Sequence, residues 1–170
     1  MRSTLVGIGY DVHRLKKGYP LMLGGICIES LSGLYGHSDA DVLVHALADA
    51  LLGAAGQPDI GCLFPNSDAT IRGICSLKIL QKVNLLLQSE GLGISNVDCT
   101  VIAEVPQVSP YLHAIKGKLA EILEIDQLQI GIKATTNEGM GFLGRKEGIA
   151  VLAVASLAPK HTTVGLSRED

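Results

Sequence analysis

The stretch from His37 to Asp68 constrains this chain more than any other. It opens His37-Ser38-Asp39-Ala40-Asp41-Val42-Leu43-Val44-His45 and closes on Asp59-Ile60-Gly61-Cys62-Leu63-Phe64-Pro65. Ser38 with Asp41 three residues on has the form of a capping box, and Gly56 ahead of Pro58 is a stop. The spacing therefore predicts one helix from about Asp39 to Ala55. At 3.6 residues per turn, Asp41, His45 and Asp49 share one face, roughly 40° apart in projection. Nearly every other residue of the helix is Val, Leu or Ala. Burying such a stripe is costly unless it has a partner. A metal ion, with carboxylates orienting the imidazole from behind, is one such partner; a solvated stripe on an amphipathic helix is the alternative.

Taken in order, Leu5 to His13 reads as a first strand, with Asp11 and His13 on one face and Val12 on the other. Leu21 to Ile28 reads as a second strand, after the turn Lys17-Gly18-Tyr19-Pro20. The loop Gln57 to Asp68 carries Ile60, Leu63 and Phe64, which marks an ordered surface and a candidate lid. Ser76 caps a second helix to about Glu90, apolar at Leu77, Leu80, Val83, Leu86 and Leu87, with Gly91 as terminator. Asn96 to Val105 is a third strand, Pro110 opens a helix to about Leu123, and Leu128 to Thr136 is a fourth strand. Ile149, Val151 and Val154 make the last apolar run, Gly148 to Ala158, a strand. This order predicts an α/β (α+β layered) fold with helices on one face of a sheet. It forms a single domain over 1–158, with a polar tail over 159–170.

Composition limits what such a domain can meet. Of its 170 residues 47% are hydrophobic, yet only 4% are aromatic and none is Trp, so the core must be aliphatic. The low charged fraction, 18%, is compatible with apolar surface buried between subunits. A net charge of −3 gives no long-range pull toward nucleic acid or an anionic membrane, so any phosphate must be bound by a local site. Cys27, Cys62, Cys75 and Cys99 show neither C-x-x-C spacing nor disulfide-scaffold density, which fits a reducing compartment. With no secretory h-region and no run of about 18 apolar residues, a cytoplasmic protein is expected.

Three places can carry chemistry. Asp11 and His13 at a strand end, with His45 on the helix, form a two-histidine, one-carboxylate set. Structural zinc sites are closed by four ligands and lean on cysteine, whereas three protein ligands leave a position for substrate. An ion pair or a satisfied core histidine is the bland alternative. Lys133-Ala134-Thr135-Thr136-Asn137-Glu138 offers two hydroxyls and successive N–H groups to an anion, and Glu138 to a hard cation. It is neither a Walker A nor a G-x-G-x-x-G loop, and a glycine-rich hairpin explains it equally. Ala103-Glu104-Val105-Pro106-Gln107-Val108-Ser109 follows a strand and can present backbone groups to a flat ligand.

Together these residues resemble a known family. Gly9-Tyr10-Asp11-Val12-His13, His37-Ser38-Asp39-Ala40-Asp41-Val42 with His45-Ala46-Leu47, Asp59-Ile60-Gly61 with Leu63-Phe64-Pro65, and Ala134-Thr135-Thr136 with Glu138 and Gly141-Phe142 recur in order. The pattern, from about residue 7 to 157, resembles the 2-C-methyl-D-erythritol 2,4-cyclodiphosphate synthases. The resemblance implies a mixed sheet and a homotrimer with its sheets around the three-fold axis and active sites at subunit interfaces. Asp11, His13 and His45 match zinc ligands, the first two also touching substrate. His37, Ser38, Asp59, Ile60 and Gly61, continued by Phe64, Pro65, Asn66, Ser67 and Asp68, match the pocket for the phosphorylated methylerythritol. Ala103 to Ser109 with Ala134, Thr135, Thr136 and Asn137 match the cytidine diphosphate side, from the neighbouring subunit. Glu138 matches the carboxylate on a second divalent cation, Mg2+ or Mn2+, and Phe142 and Arg145 match further ligand-side positions. His37 and Thr136 match the pair that stabilises the transition state. There are departures: Gln107 and Cys62 stand where many members carry lysine, Asn66 where aspartate is common, and Leu152 where some have glutamate near the axial cavity.

The reaction so implied closes a ring. The 2-phosphate of 4-diphosphocytidyl-2-C-methyl-D-erythritol 2-phosphate attacks the β-phosphorus and expels CMP. The nucleophile is already an anion, so positioning and charge neutralisation replace a general base. Two other classes use the same residues. A zinc phosphodiesterase would need a carboxylate such as Asp41 or Asp49 to activate water, and a trimeric binding module would hold metal and CMP without turnover.

Overall fold

The computed structural model describes residues 4–36, 38–65 and 74–160. Along the chain come β1 (Leu5–Lys17), β2 (Leu21–Leu23), β3 (Ile26–Ile28), β4 (Ser32–Tyr35), α1 (Val42–Ala54), α2 (Ile60–Leu63) and α3 (Ser76–Ser89). They are followed by β5 (Leu92–Ile102), α4 (Leu112–Leu123), β6 (Ile130–Thr135), α5 (Gly141–Gly144) and β7 (Gly148–Pro159). Five strands form one mixed sheet in the order β4-β1-β7-β5-β6, in which only β5 and β6 run parallel. Helices cover one face, as the element order predicts, and no helix among the described residues is long and apolar enough to cross a membrane.

The packing of α1 on β1 sets the site. Alternation along β1 turns Gly7, Gly9, Asp11 and His13 toward the helices and Val6, Ile8, Tyr10 and Val12 away. A Cβ on Gly7 would lie 2.1 Å from Ala50 O, and one on Gly9 1.9 Å from Ala46 O. Glycine is therefore required at both positions, and small residues on α1 let the two backbones touch. The rest of α1 is core: Leu43, Leu47, Leu51 and Leu52 are fully buried, each contributing about 1.5–3 kcal/mol by removal from water. The opposite sheet face is open and apolar, with Ile8 71%, Val6 62% and Leu152 45% exposed.

Several boundaries differ from the sequence reading. Helix α1 begins at Val42, and Asp41 is its N-cap, accepting the Val44 N–H at 3.1 Å, so Ser38 does not open a capping box. Leu21 to Ile28 is not one strand but a hairpin, β2 and β3, turned by Gly24 and Gly25. Both glycines have positive φ (58° and 76°), as a two-residue primed turn demands. Strand β4 was absent from the sequence reading; its Gly33 passes where a Cβ would meet Pro20 O at 1.9 Å. Ser76 starts α3 after the N-cap Cys75, and α4 starts at Leu112 after a 3-10 turn over Ser109–Tyr111. The loop after α1 contains the short helix α2, whose N-cap Asp59 accepts the Cys62 N–H at 2.9 Å. His37, Asn66, Ser67, Asp68 and the tail beyond residue 160 lie outside the described residues.

Candidate functional site

Asp11, His13 and His45 come together, offering one ligand atom each within 4.8 Å of one another. Strand β1 supplies the first two on its helix face, and the first full turn of α1 brings His45 down onto them. Asp11 Oδ2 lies 3.1 Å from His13 Nδ1 and 3.2 Å from His45 Nδ1. Burial pushes the Asp11 carboxyl up, but the adjoining imidazoles of His13 and His45 outweigh it and hold it well below the usual carboxylate range. His13 Nδ1 is buried and makes no hydrogen bond despite that short approach. A buried ring nitrogen with no hydrogen bond, beside a carboxylate and a second imidazole, is what a metal ion would satisfy, so the residues fit one.

The two other acids of the helical stripe do not serve the cluster. Asp41 is fully buried and accepts the N–H groups of Gly24 at 2.9 Å, Gly25 at 2.7 Å and Val44 at 3.1 Å. Burial pushes its carboxyl up, and the three backbone donors oppose that. It fastens the β2–β3 turn to the start of α1. Asp49 accepts the Ile60 N–H at 2.9 Å and anchors α2, its carboxyl likewise pushed up by burial. Neither orients His45. That part is taken by hydroxyls on the far side of the ring, a role the sequence pattern does not indicate for them. His45 Nε2 lies 2.9 Å from Ser76 Oγ and 3.2 Å from Ser38 Oγ, and the Ser76 hydroxyl sits hard against Asp39 Oδ1. Ser76 is 31 residues from His45, and no local pattern links the two.

The second stretch is exposed. Thr135 ends β6, Thr136 and Glu138 stand in solvent on the turn that follows, and Phe142 is exposed on α5. Glu104 Oε1 accepts the Asn137 N–H at 2.9 Å and the Gly139 N–H at 3.1 Å, clamping that turn on either side of Glu138. Glu138 itself has φ +52° and meets Thr136 Oγ1 at 3.2 Å. Arg145 is paired with Glu147 at 2.7 Å. In the third stretch Val108 is a core side chain and Ala103 is buried, so each offers a ligand only backbone. Val105 and Gln107 are exposed. Asp59 and Gly61 are exposed, and Ile60 is half-buried.

Register places the two halves on one end of the sheet but not in one pocket. Asp11 pairs with Val151, Val151 with Val101, and the neighbouring Ile102 with Thr135. Three strand spacings separate Asp11 from Thr135, about 14 Å. Val101 is in the core, so the pleat turns Asp11 toward the helices, while Ile102 and Thr135 face the open side.

Comparison with known proteins agrees with this layout. A relative from Clostridium acetobutylicum, 2-C-methyl-D-erythritol 2,4-cyclodiphosphate synthase, is 55% identical over 152 residues, covering 89% of this chain and 98% of its own. The bifunctional IspDF from Campylobacter jejuni superposes with a TM-score of 0.90 at 39% identity, over 94% of this chain and 43% of the larger protein. The IspF of Plasmodium falciparum, solved as a CDP complex, superposes with a TM-score of 0.83 at 35% identity, over 95% and 99%. The YgbB family profile matches residues 4–158. With the profile spanning nearly all of the sheet and every residue of the metal cluster, the chain belongs to the YgbB family.

Proposed function

We propose that the chain is a cytoplasmic, metal-dependent phosphorus–oxygen lyase of the non-mevalonate isoprenoid route. It converts 4-diphosphocytidyl-2-C-methyl-D-erythritol 2-phosphate into 2-C-methyl-D-erythritol 2,4-cyclodiphosphate and CMP. The observation that carries this reading is the open Asp11–His13–His45 cluster, found in a chain so similar to synthases of that name. The CDP complex of the Plasmodium relative supports a cytidine diphosphate group in the substrate.

Zinc held by Asp11, His13 and His45 would supply a Lewis acid and template for the phosphate oxygens. Glu138, exposed and carrying a single carboxylate, would hold magnesium or manganese only together with substrate phosphates. His37, Ser38, Asp59, Ile60 and Gly61 would border the methylerythritol side, continued by Phe64 and Pro65. Ala103 to Ser109 and Ala134 to Asn137 form the nucleotide side, with Thr136 against the reacting phosphates. No base is needed, because the attacking phosphate is already an anion; the residues position it and exclude water, which would divert the reaction to hydrolysis.

The active unit is a homotrimer. In one chain Thr135 and Asp11 lie on opposite faces of the sheet, and the face bearing Thr135 is open and apolar. A neighbouring copy packed on that face buries Val6, Ile8 and Val154 and brings its own turn to the metal half. The hydrolase reading has little to stand on, since Asp41 and Asp49 are both engaged by backbone N–H groups. The deciding experiment is a metal-dependent assay that follows CMP release together with the phosphorus product. Cyclic diphosphate is expected; CMP accompanied only by hydrolysed phosphates would overturn the cyclase reading.

A further inference from the structure

We propose that Asp39 and Ser76 form a positioning relay that keeps the proton of His45 on Nε2 and so leaves Nδ1 free as a metal donor. The inference rests on the metal reading of the Asp11–His13–His45 cluster and deepens it. His45 Nδ1 faces that cluster, 3.2 Å from Asp11 Oδ2. A carboxylate there draws the imidazole proton to Nδ1, which is the form that cannot bind a metal through that atom. Something on the far side of the ring must pull the other way.

The far side is built to do so. Ser76 Oγ lies 2.9 Å from Nε2, in a buried position. A hydroxyl has one proton to give, and Ser76 gives it to Asp39 Oδ1, its nearest partner. Asp39 is an acceptor throughout: its Oδ2 takes the Ser76 N–H at 3.0 Å and its Oδ1 the Asp41 N–H at 3.4 Å. Toward the ring, then, Ser76 can only accept, and Nε2 must carry the hydrogen. Ser38 Oγ, 3.2 Å from Nε2, accepts the Ala40 N–H at 3.1 Å; with its own proton given to Ser76 Oγ, 3.4 Å away, it is a second, weaker acceptor for the ring. The carboxylate–hydroxyl–imidazole line is the outer-shell arrangement that fixes the tautomer of metal-bound histidines, with a serine interposed.

The substitutions separate this role from simple support. Asn at position 39 cannot accept at both atoms. If it keeps the bond to the Ser76 N–H, its amide N–H donates to Ser76 Oγ. The Ser76 hydroxyl then turns to donate to His45 Nε2, and the ring proton moves to Nδ1. Asp39→Asn is therefore worse than losing the hydroxyl altogether. Zinc affinity, measured by chelator competition, should fall roughly 10-fold in Ser76→Ala and roughly 100-fold in Asp39→Asn, the span outer-shell partners give. Ser76→Thr, which keeps the hydroxyl, should bind zinc like wild type. In metal-free protein at a pH where the ring is neutral, nitrogen-15 spectra of labelled histidine should show His45 as Nε2–H in wild type and Ser76→Thr. The same spectra should show Nδ1–H in Asp39→Asn.

A wild-type ring already protonated on Nδ1, or wild-type zinc affinity in Asp39→Asn, would overturn the relay. Asp39→Asn and Ser76→Thr decide the matter even if Ser76→Ala does not fold. Failure of wild type to bind zinc at all would overturn the metal reading instead, while the metal-free tautomer still judges the relay on its own.

Discussion

Asp11, His13 and His45 lie in a recess between β1 and α1, whereas Thr135, Thr136 and Glu138 stand exposed at the end of β6 and on the turn after it. The first group is placed by backbone contact between β1 and α1, by buried leucines and by a hydrogen-bonded serine and aspartate. The second is held by one carboxylate, Glu104, gripping the turn from behind. The difference teaches how such a site divides its work. A metal needs its donors fixed before it arrives, and burial within one chain supplies that. A long, charged substrate needs a way in, and an exposed half leaves one open.

The largest effect comes from breaking the preset half directly. His45→Ala removes one of three protein donors, so zinc occupancy and turnover should fall together by at least about 100-fold, the upper end for outer-shell losses, while the chain still folds. Metal analysis alongside the activity assay reads both. Full occupancy in an inactive variant would remove His45 from the ligand set.

A second test asks whether the halves belong to different copies. Asp11→Ala disables the metal half, and Thr135→Ala with Thr136→Ala disables the other; each should be nearly inactive alone. In equal mixtures about one interface in four joins two intact halves if the ring is head-to-tail. Activity should therefore return to a fraction of wild type, with zinc only on the chains carrying the Thr changes. A site wholly within one chain cannot be rescued in this way, so verified mixed assemblies without recovered activity would end the shared-site reading.

The third test moves to the foundations of each half. A Cβ on Gly9 would lie 1.9 Å from Ala46 O, so Gly9→Ala must lift α1 off β1. Overpacking of this kind costs about 1–3 kcal/mol, and zinc affinity should fall with stability because His45 rides on α1. Gly139, in the exposed turn, has φ +72° and nothing within 4 Å of a built Cβ. Gly139→Ala should cost only about 1 kcal/mol of backbone strain and leave zinc binding alone. Denaturant titration with zinc competition separates the two, and a Gly9→Ala protein with normal zinc affinity would show that β1–α1 contact does not set the centre.

How much of this the sequence disclosed follows from which forces are local. The metal triad was legible because strand alternation and helical periodicity each place a side chain from spacing alone, and Asp11, His13 and His45 needed nothing more. Asp41 was misread for the same reason: a helical stripe does not distinguish an N-cap from the first turn, and its partners Gly24 and Gly25 lie on another element. The Gly24-Gly25 pair is a hairpin signal set inside the apolar run Leu21 to Ile28. Strand β4 carries only four residues and little periodicity, and the sheet calls it into being through Gly33 and the end of β1. Ser76 reads from sequence only as a helix start, because its bond to His45 spans 31 residues and turns on how α3 meets α1. The apolar open face, by contrast, stands in the alternation of Val6, Ile8, Tyr10 and Val12 for any reader who asks what covers it.

The smallest effect belongs to Glu138, and it tests whether the exposed half binds a cation at all. Its carboxylate stands in solvent on a turn whose shape is set by Glu104, through the N–H groups of Asn137 and Gly139. Glu138→Gln keeps the side-chain length and an acceptor for the Thr136 hydroxyl, which now meets the carboxylate at 3.2 Å. Fold stability and zinc affinity should therefore stay at wild-type values. What changes is charge, and ligand charge is what sets the affinity of an oxygen site for a hard cation. The magnesium or manganese needed for half-maximal turnover should rise roughly tenfold, with the maximal rate approached again at high metal. The assay is the CMP-release reaction run across magnesium concentrations at saturating zinc. An unchanged magnesium curve would mean that Glu138 serves only the turn, and that the open half holds the nucleotide through its hydroxyl and backbone groups without a cation of its own.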